Sequence, residues 1–168
     1  METRTLISVD EYLQTSYSPD CDYVDGEVEE RIVGEWDHSD AQLAIGAYLR
    51  AIQKAKGIRV VVEQRVQVRP DRYRVPDVCV VSGQPDGQIL KKPPFVCIEI
   101  LSPEDRMSRV RERVDDYLAM GVPYVWVLDP GAKVAYAITP AEGWREVKDG
   151  VLRTQQPAIE VPLSEIFA

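Results

Sequence analysis

The chain has 168 residues, 45% of them apolar, and a formal net charge of −8, a size that suits one compact domain with a real core. No apolar run reaches the roughly 18 residues of a membrane span, and the opening METRTLISVDEYL lacks the apolar stretch of a signal peptide. Three cysteines, Cys21, Cys79 and Cys97, with no Cys-x-x-Cys, argue against a disulfide framework or a thiolate zinc site.

Ser8-Val-Asp-Glu11 is a capping-box pattern and predicts a short helix through Leu13. Residues 22–33 carry Asp25-Gly26 at their centre, the signal of a two-residue hairpin. Asp37 or Ser39 can cap the next helix, whose apolar positions Leu43, Ala44, Ala47, Tyr48, Ala51 and Ile52 recur at helical spacing up to Gly57. The period then changes. Ile58, Val60 and Val62 alternate with other residues, as do residues 64–68, and both stretches predict strands. A strand is expected over 73–81, then a loop over 82–94 and a strand over 95–101. Pro103 and Glu104 suit the first turn of a helix that runs to Met120 and ends at Gly121. Residues 124–128 and 134–138 predict strands, and 144–147 with 151–154 a small terminal hairpin. This order implies an α/β (α+β) fold around one mixed sheet. Without a repeat or a long linker, 1–168 is expected to be a single domain that includes the helix and hairpin of 1–33.

Cys79 and Cys97 fall within strand-like runs and read as buried free thiols, so a reducing, cytoplasmic location is expected. The charge is unevenly spread. Residues 50–113 hold 14 of the 20 Lys and Arg against 8 acids, a balance of +6, which leaves −14 for the rest. Such segregation can present one basic face despite the overall sign, or it can be scattered solvated charge.

Two acids stand out. Asp77 follows Pro76 and directly precedes the apolar VCVV. Glu99 lies inside FVCIEIL, a run that reads as a strand buried on both faces. If the two strands are neighbours, both carboxylates converge at one end, and they repel unless a proton or cation lies between them. Oxygen ligation without nearby His or Cys suits a hard cation such as Mg²⁺, which is held by one or two carboxylates with waters and substrate phosphate. The plainer alternative makes Asp77 a cap at a strand start and Glu99 the partner of a buried Arg.

RVPDVCVV, CIEILSPEDR and DDYLAMGVPYVWVLDP together resemble the Uma-two family of bacterial proteins, which are regarded as endonucleases of the PD-(D/E)XK superfamily. The likeness runs from YVDGE through GEWDHS to VPLSEIF. It implies a restriction-endonuclease-like fold, a central mixed sheet flanked by helices, with Asp77 and Glu99 as metal-binding acids. It also places His38 in the site, as a phosphate contact or water-positioning group. One departure stands out. The superfamily places Lys two residues after its second acid, where this chain has Leu101. The basic residue corresponds instead to Arg113, where relatives carry lysine. An arginine can neutralise phosphate charge but cannot serve as a general base.

The expected chemistry is therefore Mg²⁺-dependent hydrolysis of nucleic-acid phosphodiester bonds, with DNA the expected substrate and Mn²⁺ a substitute. Asp77, Glu99 and the Ile100 carbonyl would hold the ion, with Arg113 and His38 as the other catalytic groups. Arg106 and Arg109 share one helical stripe with Arg113. With Arg72, Arg74, Lys91 and Lys92 they are the expected nucleic-acid contacts. Glu29 is the possible additional acid, and Glu63 a weaker one. Analogy with the superfamily suggests a homodimer. The rival expectation is a degenerate module that binds nucleic acid or protein without chemistry, and a third is a purely structural domain.

Overall fold

Ser8 accepts the Glu11 backbone N–H at 3.1 Å and opens α1 (Val9–Gln14), as its Ser-x-x-Glu pattern predicts. In this computed structural model residues 5–32 and 34–168 are described. Residues 1–4, the start of the opening METRTLISVDEYL, and Val33, the expected end of the first hairpin, lie outside them. β1 (Cys21–Val24) and β2 (Glu27–Glu30) pair antiparallel around Asp25-Gly26. Both turn residues have positive φ, 50° and 94°, as a tight hairpin of this hand requires.

α2 (Trp36–Lys56) ends at Gly57 in the left-handed region, φ 66°. Its N-cap is Glu35, not Asp37 or Ser39. The buried face is also rotated from the expected one. Ala41, Ile45, Gly46 and Leu49 are buried, whereas Leu43 is 72% exposed. Of the expected positions, Tyr48 and Ile52 still pack against that core, while Leu43, Ala47 and Ala51 are exposed.

β3 (Ile58–Val62) and β4 (Val66–Arg69) follow. The strand expected over 73–81 is two strands, β5 (Arg72–Arg74) and β6 (Val78–Ser82), which belong to different sheets. Pro76 has no N–H for a ladder, and Val75 donates its own to Asp22 Oδ1 at 3.1 Å. After β7 (Val96–Ile100), Pro103 and Glu104 form a turn and not a helical start. Asp105 Oδ2 accepts the Ser102 N–H at 2.7 Å and closes that turn, so α3 begins later (Met107–Met120). β8 (Tyr124–Asp129) and β9 (Val134–Thr139) stand as expected. The terminal hairpin is rearranged: β10 (Gly143–Glu146) pairs with β9, and β11 (Val151–Thr154) pairs with β12 (Ile159–Pro162).

The central sheet is mixed and six-stranded, in the order β10-β9-β8-β7-β6-β3, with β7 and β8 parallel. A four-stranded sheet, β2-β1-β5-β4, stands beside it, so one sheet was too few. Side chains alternate across the central sheet. Val78, Val80, Ile98, Trp126 and Leu128 join the α2 face with Ile45 and Leu49. Cys79, Cys97, Val125 and Val127 join the α3 face with Val110, Val114 and Tyr117. The three cysteines are buried free thiols. No described helix is long and apolar enough to cross a membrane.

Candidate active site

β6 and β7 are antiparallel neighbours, with Val78 opposite Ile98 and Cys79 opposite Cys97. One more step of that register sets Asp77 opposite Glu99, on the α3 side of the sheet. Positions so opposed have Cβ atoms about 5 Å apart. Both carboxylates are almost fully buried, at 3% and 2% exposure. They line a polar pocket of about 210 Å³ with Arg31, His38, Ile100, Asp105, Arg106, Arg109 and Arg113.

Asp77 is held from three directions. Arg31 Nη2 donates to its Oδ1, His38 Nε2 lies 3.4 Å from the same oxygen, and the Ile100 N–H donates to Oδ2 at 2.7 Å. Burial alone would raise the Asp77 pKa, but His38, Arg31 and the Ile100 N–H together bring it below the usual value. His38 moves the other way. Burial works to lower its pKa, and the hydrogen bond and charge of Asp77 outweigh that and raise it.

Glu99 is held from α3. Tyr117 Oη donates to Oε1 at 2.6 Å, and Arg113 Nε lies 3.3 Å from Oε2. That Nε is not aligned for a hydrogen bond and has no other partner. Burial pushes the Glu99 carboxyl up to about 7; Arg113 pulls it down, while Asp77 pushes it higher. Two adjacent acids thus have their affinities for protons driven apart, an arrangement typical of sites that divide acid and base roles. Arg113 also reaches Asp105 Oδ1 at 3.6 Å.

Gly34 is needed beside His38. A Cβ there would stand 2.8 Å from His38 Nδ1 and 3.2 Å from Ser39 Oγ.

The donor set suits a hard divalent cation: two carboxylates on adjoining chain segments, with the Ile100 backbone lining the same pocket. Among the described residues no three His, Cys, Asp or Glu converge as a metal cluster, so the protein offers such an ion two acids and not three.

Several expected residues lie elsewhere. Arg74 is 1% exposed. It pairs with Asp22 at 3.0 Å, Glu29 at 3.3 Å, Glu112 at 3.1 Å and Asp116 at 2.7 Å. Arg72 pairs with Asp25 and Asp116. Both arginines bind this cluster of acids between the smaller sheet and α3, and Arg74 presents no surface to a nucleic acid. Glu29 faces the same cluster, because the hairpin register turns it toward Arg74. Lys91 and Lys92 precede β7, at the opposite end from Glu99, and their backbone N–H groups are tied to Asp86. Glu63 sits beside Asp77, its backbone N–H donating to the Asp77 carbonyl at 3.2 Å, but it lines a groove between α2 and β3 and not the pocket of the acids. Arg106 and Arg109 are exposed and do line the pocket.

Sequence reasoning missed Arg31 and the polar role of Tyr117. Arg31 follows β2 in a segment without periodicity, and Tyr117 was legible as a core residue, which it also is.

The family model named Uma2 and described as "Putative restriction endonuclease" matches residues 9–165. The chain belongs to this Uma2 family. A solved structure from Anabaena variabilis, described as "a putative nuclease belonging to DUF820", superposes with a TM-score of 0.83 at 21% identity, covering 96% of this chain and 97% of that one. That likeness establishes a shared fold across nearly the whole Uma2 domain. A second structure, "cryoEM structure DrdV-DNA complex", aligns at TM-score 0.40 and 15% identity over 71% of this chain and 10% of its own, a likeness too low to argue from. No curated protein matches the sequence.

Proposed function

We propose that this Uma2 protein is a divalent-metal-dependent nuclease that hydrolyses phosphodiester bonds, with DNA as its substrate. The observation that supports it most is the pairing of Asp77 with Glu99 at one end of β6 and β7, beneath a rim that carries Arg106 and Arg109. Asp77, Glu99 and the Ile100 carbonyl would hold Mg²⁺ or Mn²⁺, which when bound supplies Lewis acidity at a phosphoryl oxygen. The chain's own groups do the rest. Arg106 and Arg109 contact backbone phosphates without reading bases. Arg113 offsets negative charge entering the pocket. His38 holds a proton at Nε2 beside Asp77, within reach of incoming oxygen atoms. Three buried free thiols fit a reducing cytoplasm.

Titration with MgCl₂ and MnCl₂ tests the reading. The wild-type melting temperature should rise saturably, since an ion that binds only the folded chain stabilises it. Asp77→Asn should abolish the rise and the nicking of supercoiled DNA. Neither rise nor nicking in wild type would sink the proposal.

One observation favours a second reading. Both acids already have cationic neighbours, Arg31 and His38 on Asp77 and Arg113 on Glu99, so the pocket balances its charge without an ion. A module that binds nucleic acid and performs no chemistry would look the same. Arg113→Lys separates the two: new or faster cleavage marks a site built for the reaction, while DNA binding without cleavage in both forms marks a binding module.

A further inference from the structure

We propose that α2 is a self-association surface, on which a second copy of this chain packs its own α2 antiparallel. The stripe that the sheet leaves uncovered consists of Trp36, Asp40, Leu43, Ala47, Arg50 and Lys54, all exposed, with Trp36 at 83% and Leu43 at 72%. Their spacing alternates between four and three residues, the seam along which two helices interlock. The ends of the stripe carry opposite charge, Asp40 toward the N-terminus and Arg50 and Lys54 toward the C-terminus.

This order is self-complementary about Ile45. With two helices antiparallel, Leu43 meets Ala47 of the second copy, Asp40 meets its Arg50, and Trp36 meets its Lys54. A parallel pair would instead set Asp40 against Asp40 and Arg50 against Arg50, which like charge disfavours. Beside the stripe runs a groove of about 710 Å³, lined by Leu43, Ala47, Val61 and Val62 among others. Its far wall is β3, an edge of the central sheet, where Val61 and Val62 are 39% and 53% exposed. Exposed valines on an edge strand beside an exposed Leu form an apolar patch of the kind that marks an interaction site. Arg50 reaches the Val60 carbonyl with Nη1 at 3.3 Å, which holds its head at this groove.

The surface gives a location to the homodimer expected by analogy. It does not depend on the catalytic reading, since mass and metal binding are measured separately. Sedimentation equilibrium across the micromolar range should return twice the 19.0 kDa chain mass for wild type. Asp40→Arg and Arg50→Asp should each weaken association at least ~10-fold, because each sets like charges together twice. An equimolar mixture of the two restores opposite charges and should dimerise again. Leu43→Asp, on an exposed position, reads the same surface should either charge reversal lower the melting temperature. A monomeric wild type, single variants that remain dimeric, or a mixture that stays monomeric would each overturn the proposal.

Discussion

Tyr117 donates its phenol hydrogen bond to Glu99 Oε1 at 2.6 Å, with both side chains shut off from solvent. The contact ties α3 to β7 through the acid itself. Burial, then the charge of Glu99, pushes the Tyr117 pKa well above its usual value, so the phenol keeps its proton and stays a donor. Tyr117→Phe keeps the ring in the core and removes only this donor. Leaving a buried carboxyl oxygen without its partner costs about 1–3 kcal/mol, and urea melts at pH 8 should show a loss of that order. A variant as stable as wild type would mean that Glu99 does not rely on this bond.

Glu99 supplies a pH test. Its folded pKa, raised to about 7, lies above the ordinary glutamate value of 4.5. Between those values the folded chain keeps a proton that the unfolded chain has lost, so wild-type stability falls as pH rises through this window. Glu99→Gln cannot titrate. The stability of Glu99→Gln relative to wild type should therefore grow by about 3 kcal/mol from pH 4.5 to 7 and level off above. Any constant offset from the altered Arg113 contact does not affect that slope. A pH-independent difference would place the Glu99 pKa near its ordinary value.

Arg74 joins β1, β2 and α3 through Asp22, Glu29, Glu112 and Asp116. Arg74→Met takes the cation from Asp22 and Glu29 and leaves Glu112 and Asp116 with Arg72 alone. Removing one partner of a buried ion pair typically costs about 3–5 kcal/mol, and the loss should appear as a lower urea midpoint. Arg74→Lys should be almost as harmful, because a single ammonium cannot span partners reached by Nε, Nη1 and Nη2. A midpoint like that of wild type in either variant would contradict the bracing role.

The acids of the candidate site were legible because a carboxylate inside an apolar strand needs a local reason. Pro76-Asp77 and the lone Glu99 supplied two such anomalies, and strand adjacency brought them together. The fold class was legible from the change of period between helical and strand segments. What escaped depended on register and on the third dimension. Arg74 and Arg106 look alike in a string, yet one lies beneath four carboxylates and the other on a pocket rim. The buried face of α2 is legible only in part, through Tyr48 and Ile52, because apolar residues run along more than one side of the helix and packing decides which the sheet takes. Arg31 had no signal, since its place beside Asp77 is set by the path of the chain between β2 and α2.

Gly34 lets that path pass close to His38. Its backbone conformation accepts an L side chain, so Gly34→Ala acts through contact alone: the new Cβ stands 2.8 Å from Nδ1, and the imidazole must turn. Turning it breaks the 3.4 Å approach of Nε2 to Asp77 Oδ1. His38 is the only histidine, so its ring protons give an unambiguous NMR titration. In wild type the pKa lies above the ordinary value, because Asp77 outweighs the effect of burial. In Gly34→Ala it should fall. The sign for stability follows. A raised histidine pKa stabilises the fold below the unfolded value, and that contribution disappears as pH rises through the folded one. The stability difference between wild type and Gly34→Ala should therefore narrow on going from acid to alkaline pH. An unchanged titration would show that the ring tolerates the methyl without leaving Asp77.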